Sequence, residues 1–188
     1  MVTEGEGQLR ARRRVNMVLA GVSSAITGLL LAGCVDGSSD AKPLPEGTAE
    51  STVTPAQDAE HAAALDAYRA MWRDLTRASE TSDAASPMLD DHASGGALAL
   101  MKYGLKKSKE EQVVSKGAPR VHPEVVSANG REVVLVDCVD DRSWLQYKLN
   151  GELKNDVPGG HFKADATVRR SRGVWKVTDL YMHEAGSC

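Results

Sequence analysis

The amino-terminal stretch constrains this chain more than any other feature. Arginines at position 10 and positions 12–14 precede residues 15–33, which contain no charged side chain. A basic segment, an apolar run and small residues at its end are the parts of a secretory signal. We therefore expect the rest of the chain to lie outside the cytoplasm, with the arginines kept inside by the positive-inside rule.

The apolar run ends in Leu31-Ala32-Gly33-Cys34, which resembles the lipobox of bacterial lipoproteins. The resemblance implies that residues 1–33 are cleaved and that the thiol of Cys34 carries a diacyl lipid, which would anchor the protein to the cell membrane. The alternative is an uncleaved membrane anchor, because a run of this length just spans the hydrocarbon core. Its serines, threonine and glycines make it a poor permanent membrane helix.

Residues 34–54 and residues 55–188 differ in composition. The first segment is rich in Ser, Gly, Pro and acidic residues and is expected to be a disordered tether with a span of roughly 25 Å. The second segment has the apolar periodicity of a domain. The formal net charge of -3 and the absence of a basic stripe argue against nucleic-acid binding. No zinc or nucleotide motif is present, so we expect no metal and no cofactor.

Helix signals come first in the predicted domain. Thr54, Pro55 and Gln57 have the pattern of a capping box with proline at the first helical position. Apolar residues then recur at helical spacing as far as residue 79. Gly95-Gly96 is expected to separate two further helices. The predicted helices are residues 55–79, 86–92 and 97–109.

Beyond residue 120 the sequence pattern changes from helix to strand. Asn129-Gly130 lies between β-branched runs, which is a strong hairpin signal, and Arg172-Gly173 marks a second turn. The predicted extended segments are residues 121–128, 131–140, 143–149, 161–170 and 174–182. Helices followed by strands predict an α+β fold, in which the helices pack on one face of a curved antiparallel sheet of about four strands.

Two segments carry a family resemblance: residues 133–140, with the sequence VVLVDCVD, and residues 173–177, with the sequence GVWKV, together with Cys188. Residues 55–188 resemble small actinobacterial lipoproteins and secreted proteins with the cystatin-like cone of nuclear transport factor 2 and the SnoaL-like polyketide cyclases. The resemblance implies a long helix that covers a bent sheet and leaves a conical cavity. It implies little about activity, because this fold hosts enzymes, transport factors and scaffolds.

Six large side chains are candidates for the lining of such a cavity. They either form a pocket for an apolar ligand or fill the core of a domain with few other large residues. The candidates are Tyr68, Trp72, Met101, Trp144, Phe162 and Trp175.

Asp137 is the residue on which an enzyme would depend. It shares a strand face with Val133 and Leu135, so it is able to point into the cone. A carboxylate in apolar surroundings has a raised pKa and is able to act as a base, with Arg142 or His161 as a partner. No His–Asp pair has the spacing that the cyclases require, so we expect no catalysis.

The cysteines form an even pair once Cys34 is assigned to the lipid. Cys138 and Cys188 would then lie in an oxidising compartment, and we expect a disulfide between them. The alternative is two free thiols.

These observations predict a lipid-anchored protein on the outer face of the cell membrane that acts as a non-enzymatic binding or scaffolding module of the cell envelope. Its expected partners are the membrane, through the anchor, and an envelope protein or a small apolar ligand. Two alternatives stay open. One is a carrier of a small apolar ligand or lipid, and the other is a cyclase or isomerase that uses Asp137.

Overall fold

The computed structural model describes residues 54–157 and 159–188. The predicted signal, the lipidation at Cys34 and the tether up to residue 53 lie outside the described residues. No helix in the described part of the chain is long and apolar enough to cross a membrane. The elements are α1 (Pro55–Ser79), α2 (Leu89–His92), α3 (Gly95–Glu110), β1 (Val113–Lys116), β2 (Glu124–Asn129), β3 (Glu132–Asp140), β4 (Leu145–Lys148), β5 (His161–Ser171) and β6 (Val174–Met182).

Helix α1 has the predicted bounds. Thr54 Oγ1 accepts a hydrogen bond from Gln57 N, and Thr54 N donates to Gln57 Oε1 over 2.9 Å. This capping box provides hydrogen-bond acceptors for two backbone N–H groups at the start of the helix. The helix buries Tyr68, Met71 and Trp72. The capping box, which was predicted from sequence alone, is therefore confirmed.

Four antiparallel strands form the main sheet in the order β2-β3-β5-β6. Alternate residues of β3 and β5, among them Val133, Leu135 and Val168, are buried against α1 and α3. Register shifts at Val125/Ser127 and Thr167/Val168 mark β-bulges, which bend strands. The structure therefore has the predicted α+β fold, with helices on a curved antiparallel sheet that does not close into a barrel.

The predicted extended segment at residues 143–149 is present, but it lies outside the main sheet. Residues 145–148, strand β4, pair with β1 in a separate two-stranded sheet. Strand β1 was not predicted. It contacts both α1 and α3, so this small sheet lies beside the helices and forms a wall that the sequence pattern did not indicate.

Gly95-Gly96 was predicted to lie between two helices. In the structure these two residues are the first residues of α3. Ser94 N donates to Val177 O over 2.9 Å, which holds the start of α3 against β6. Gly95 has a φ of +55°, and a Cβ there would lie 3.0 Å from Thr178 O. Glycine is needed because the helix start approaches the strand closely. Helix α2 is also shorter than predicted, because it begins at Leu89.

The two predicted hairpins are present but differ in their turns. The β2–β3 pairing joins Asn129 to Glu132, so the turn lies at Gly130-Arg131, one residue later than predicted. The β5–β6 turn lies at Arg172-Gly173, as predicted. Both of its residues have positive φ, 51° and 85°, as a type I′ hairpin requires.

The chain after β6 turns back along β5. Gly186 N donates to His161 O over 2.6 Å, and Lys163 N donates to Ser187 Oγ over 2.8 Å. Cys188 then forms a disulfide with Cys138, with the two Cα atoms 6.0 Å apart. Cys138 lies on the exposed face of β3, so the bridge fastens the tail to the outside of the sheet. The predicted disulfide is present in the structure.

Candidate functional site

A cavity of about 490 Å³ lies between α1, α3 and the β1–β4 sheet. Strand β4 pairs with β1 in a sheet separate from the main one, and this small sheet forms one wall of the cavity. The lining is mixed, with polar side chains such as Ser79, Ser115 and Asp141. Its apolar part comes from Trp72 and Leu75 of α1, Met101 and Leu105 of α3, Leu145 of β4 and Leu180 of β6.

The edge of this cavity is charged. Lys107, Glu111 and Lys154 line it, and about a third to a half of each side chain is exposed. Lys154 forms an ion pair with Glu111 and also donates to Gln146 Oε1 over 3.0 Å. The hydrogen bond from Lys154 lowers the pKa of Glu111. An apolar interior with a few polar groups at its edge is typical of a small-molecule site.

The six candidate cavity residues divide into two groups. Trp72, Met101 and Trp144 line the cavity, whereas Tyr68, Phe162 and Trp175 do not. The rings of Tyr68 and Phe162 lie 6.3 and 6.5 Å from that of Trp72. Trp175 is part of the buried core. Three of the six predicted residues therefore line the cavity, and the other three pack in or against the core.

Sequence reasoning missed several residues of the cavity wall. Leu105 follows Met101 at helical spacing, so the periodicity of α3 was a sufficient signal for it. Leu145 and Leu180 had no such signal, because their place depends on how the small sheet packs. Gly104 also lines the cavity, and a Cβ built on it would have no atom within 4 Å.

Asp137 points into the core, as its strand position predicted. It is 3% exposed, and its Oδ1 accepts a hydrogen bond from His122 N over 2.9 Å. Burial raises its pKa. Asp137 is not among the residues that line the cavity, so a ligand held there would not meet its carboxylate.

Three buried polar atoms lie close together behind the cavity wall: Tyr68 Oη, Trp72 Nε1 and Asp137 Oδ2. None of them makes a hydrogen bond of normal geometry to another described residue. Tyr68 and Asp137 are still near enough to affect each other's protonation. Burial first, and then the charge of Asp137, raises the pKa of Tyr68 far above its ordinary range.

The enzyme alternative required Arg142 or His161 as a partner of Asp137. Neither residue pairs with Asp137 in the structure. Arg142 binds both carboxylate oxygens of Asp140, with Nε and one terminal nitrogen each 2.9 Å away. His161 Nε2 lies 3.5 Å from the same carboxylate. The hydrogen bond from Arg142 holds the pKa of Asp140 well below its usual range. The pairing that the enzyme alternative would use is therefore not formed, because Arg142 and His161 both contact Asp140 instead.

The remaining histidine contacts are also with single carboxylates. His92 Nδ1 lies 2.6 Å from Asp74, and His183 Nε2 lies 2.6 Å from Asp165. Among residues 54–157 and 159–188, no three His, Cys, Asp or Glu side chains are grouped so that they could hold a metal ion.

Solved structures are similar to this chain only at low identity and with TM-scores below 0.5. No protein-family model matches the sequence, and no curated protein matches it significantly. The chain is similar to the intermembrane-space region of the chloroplast protein ARC6, with 16% identity, a TM-score of 0.47, and 71% of this chain and 99% of that chain covered.

Two other similar structures come from bacteria. One is Aln2 of a Streptomyces species, with 10% identity, a TM-score of 0.46, and coverage of 70% of this chain and 93% of that chain. The other is a protein of unknown function with a cystatin-like fold from Nostoc punctiforme, with 11% identity, a TM-score of 0.36, and coverage of 69% and 92%. At these identities the similarity concerns the arrangement of the chain and not its chemistry.

Proposed function

We propose that this protein is a lipid-anchored extracytoplasmic binding protein that holds a small apolar ligand and catalyses no reaction. The observation that carries the proposal is the cavity of about 490 Å³ between α1, α3 and the β1–β4 sheet. Its volume is within the range of about 300–1,000 Å³ that is usual for small-molecule sites.

The chemistry of the wall supports an apolar ligand with a polar end. Leu75, Trp144 and Leu145 line the cavity and are only half-buried, so a ligand that covers them would remove apolar surface from water. Each buried methylene contributes about 0.8 kcal/mol. Lys107 and Lys154 at the edge offer hydrogen-bond donors to a polar group that remains at the surface.

The alternatives have less support from the described residues. A scaffold would need no cavity, and its core could be filled. An enzyme that uses Asp137 would need that carboxylate at the cavity surface, whereas Asp137 is buried and does not line the cavity. The extracytoplasmic location rests on the sequence of residues 10–34, in which a basic segment and an apolar run end at Cys34.

Gly104→Leu tests the ligand site because it adds an apolar side chain at the cavity lining without damage to the fold. Gly104 is helical, and a Cβ there would meet no atom within 4 Å. Replacement of a helical glycine stabilises a protein by about 0.5–1 kcal/mol. We expect the variant to melt at a higher temperature and to bind an apolar probe about tenfold more weakly, the equivalent of about two buried methylenes.

The assay is fluorescence titration of the unlipidated chain of residues 35–188 with N-phenyl-1-naphthylamine. Residues 49–188 form a compact unit of their own, so this chain contains the whole described core. Gly104→Ala is the matched control, since it has the same helix effect and leaves the cavity open. Equal affinity of the Ala and Leu variants, or no binding by the unchanged chain, would contradict the proposal.

A further inference from the structure

Helix α1 presents three arginines along one groove. Arg69, Arg73 and Arg77 are spaced by four residues, so they share one face of the helix. Together with residues 117–119 and Val121, they line a groove of about 520 Å³. This groove is separate from the ligand cavity, although Trp72 contributes to both.

The acidic residues of α1 pair with only one of these three arginines. Asp66 pairs with Arg69 over 3.3 Å. Asp74 follows Arg73 directly and stands three residues before Arg77, but it is buried and pairs with His92 over 2.6 Å. In the described part of the chain, Arg73 and Arg77 therefore have no ion-pair partner, although both are exposed.

The facing wall of the groove adds no negative charge. Gly117, Ala118, Pro119 and Val121 form this wall and carry no charged side chain. Gly117 has a φ of +86°, and a Cβ there would overlap Ser143 O, so this wall is held at a position that only glycine is able to occupy. Glu80 is the one acid among the described residues that line the groove.

We propose that this arginine groove binds the anionic headgroups of phospholipids and docks the domain on the membrane. Guanidinium groups bind phosphate oxygens through paired, charge-assisted hydrogen bonds. A membrane is favoured over an acidic protein because a tether of roughly 25 Å would keep the groove close to the leaflet. In this respect the inference rests on the proposed anchoring at Cys34.

The test uses the unlipidated chain of residues 35–188 and sedimentation with phosphatidylglycerol vesicles or phosphatidylcholine vesicles at low ionic strength. The energy of a basic residue near an anionic membrane predicts that Arg73→Gln with Arg77→Gln weakens binding to phosphatidylglycerol by about 30-fold. Glu80→Gln should strengthen it by about fivefold. Circular dichroism melting shows whether each variant is folded.

Lys106→Gln with Lys109→Gln is the matched control, because it removes the same charge from exposed positions of α3. Retained binding by this control, with loss in the arginine variant, supports the groove. Equal loss in both variants, no loss in either, or equal binding to phosphatidylcholine vesicles would overturn the proposal. Displacement by millimolar glycerol 3-phosphate, or binding to poly-glutamate instead of vesicles, would overturn it too. Because this chain carries no lipid, the result is independent of whether Cys34 is lipidated.

Discussion

Trp72 is the side chain on which the cavity wall and the aromatic core both depend. It is 3% exposed, and its ring centroid lies 6.3 Å from that of Tyr68, 6.2 Å from that of Trp144 and 6.5 Å from that of Phe162. Replacement by alanine removes all three contacts and extends the existing cavity. We therefore expect Trp72→Ala to lower the free energy of unfolding.

The expected loss is about 3–5 kcal/mol, the usual cost of truncating a buried tryptophan. Each aromatic pair contributes about 0.5–1.5 kcal/mol of such a loss. No hydrogen bond is lost, because the indole N–H has no hydrogen-bond partner among the described residues. Trp72→Phe also loses no hydrogen bond, and it keeps an aromatic ring at the site. It should therefore cost less, about 1 kcal/mol.

Urea unfolding followed by far-ultraviolet circular dichroism measures both variants on the same chain. The slope of the transition with urea should be the same for all three proteins, because they expose nearly the same surface on unfolding. A loss below about 1 kcal/mol for Trp72→Ala, the size of an ordinary substitution, would refute the packing of α1 described above. Equal losses for the Ala and Phe variants would refute the role given to the ring contacts.

Three further predictions concern the disulfide, the buried carboxylate and the anchor. Cys138→Ala should cost about 4 kcal/mol in urea unfolding, because the bridge closes a loop across a sequence separation of 50; two thiols that react before reduction of the unchanged denatured protein would contradict the bridge. The raised pKa of Asp137 means that the folded protein binds this proton more tightly than the unfolded chain. The contribution of this proton to the free energy of unfolding is therefore fully present below the ordinary pKa of about 4. It declines as the pH rises through the pKa of Asp137 in the folded protein. Asp137→Asn should flatten that decline above about pH 4, and parallel stability curves for the two proteins would count against it. Cys34→Ala should leave an uncleaved precursor without fatty-acid label, whereas unchanged mobility and labelling would exclude the lipobox.

The parts of the fold that were predicted correctly depend on neighbours in sequence. The start of α1 is set by Thr54 and Gln57, which are three residues apart and bind each other. The β5–β6 turn is set by Arg172 and Gly173 themselves. In both places the group that determines the structure lies within a few residues, so the sequence pattern contained the information.

The errors depend on contacts between distant residues. Gly95 has the sequence pattern of a helix breaker. However, the hydrogen bond from Ser94 to the backbone of Val177 holds the start of α3 against β6. Glycine is therefore needed as the first residue of the helix, because a Cβ there would lie too close to Thr178 O. Strand β4 was recognised as extended, but its partner β1 lies about thirty residues earlier, with Val113 opposite Lys148. Side-chain alternation gives the face of a strand and does not give its partner.

The candidate site shows the same division. Trp72 and Met101 were found because helical periodicity placed them on an inner face. Leu145 and Leu180 were missed because they reach the cavity through the packing of β4 and the end of β6. The inward direction of Asp137 was predicted correctly from strand alternation, whereas its neighbours Tyr68 and His122 come from other elements.

Native mass spectrometry of the chain of residues 35–188, purified without denaturation, tests the ligand cavity most directly. We expect the unchanged protein and Gly104→Ala to retain a small apolar molecule, or to take up added N-phenyl-1-naphthylamine, in a complex of one ligand per chain. Gly104→Leu, although it is more stable, should need about tenfold more probe to reach the same bound fraction. An equal bound fraction on all three proteins at the same probe concentration, or the bare mass of all three in the presence of the probe, would contradict the claim that this cavity is a binding site.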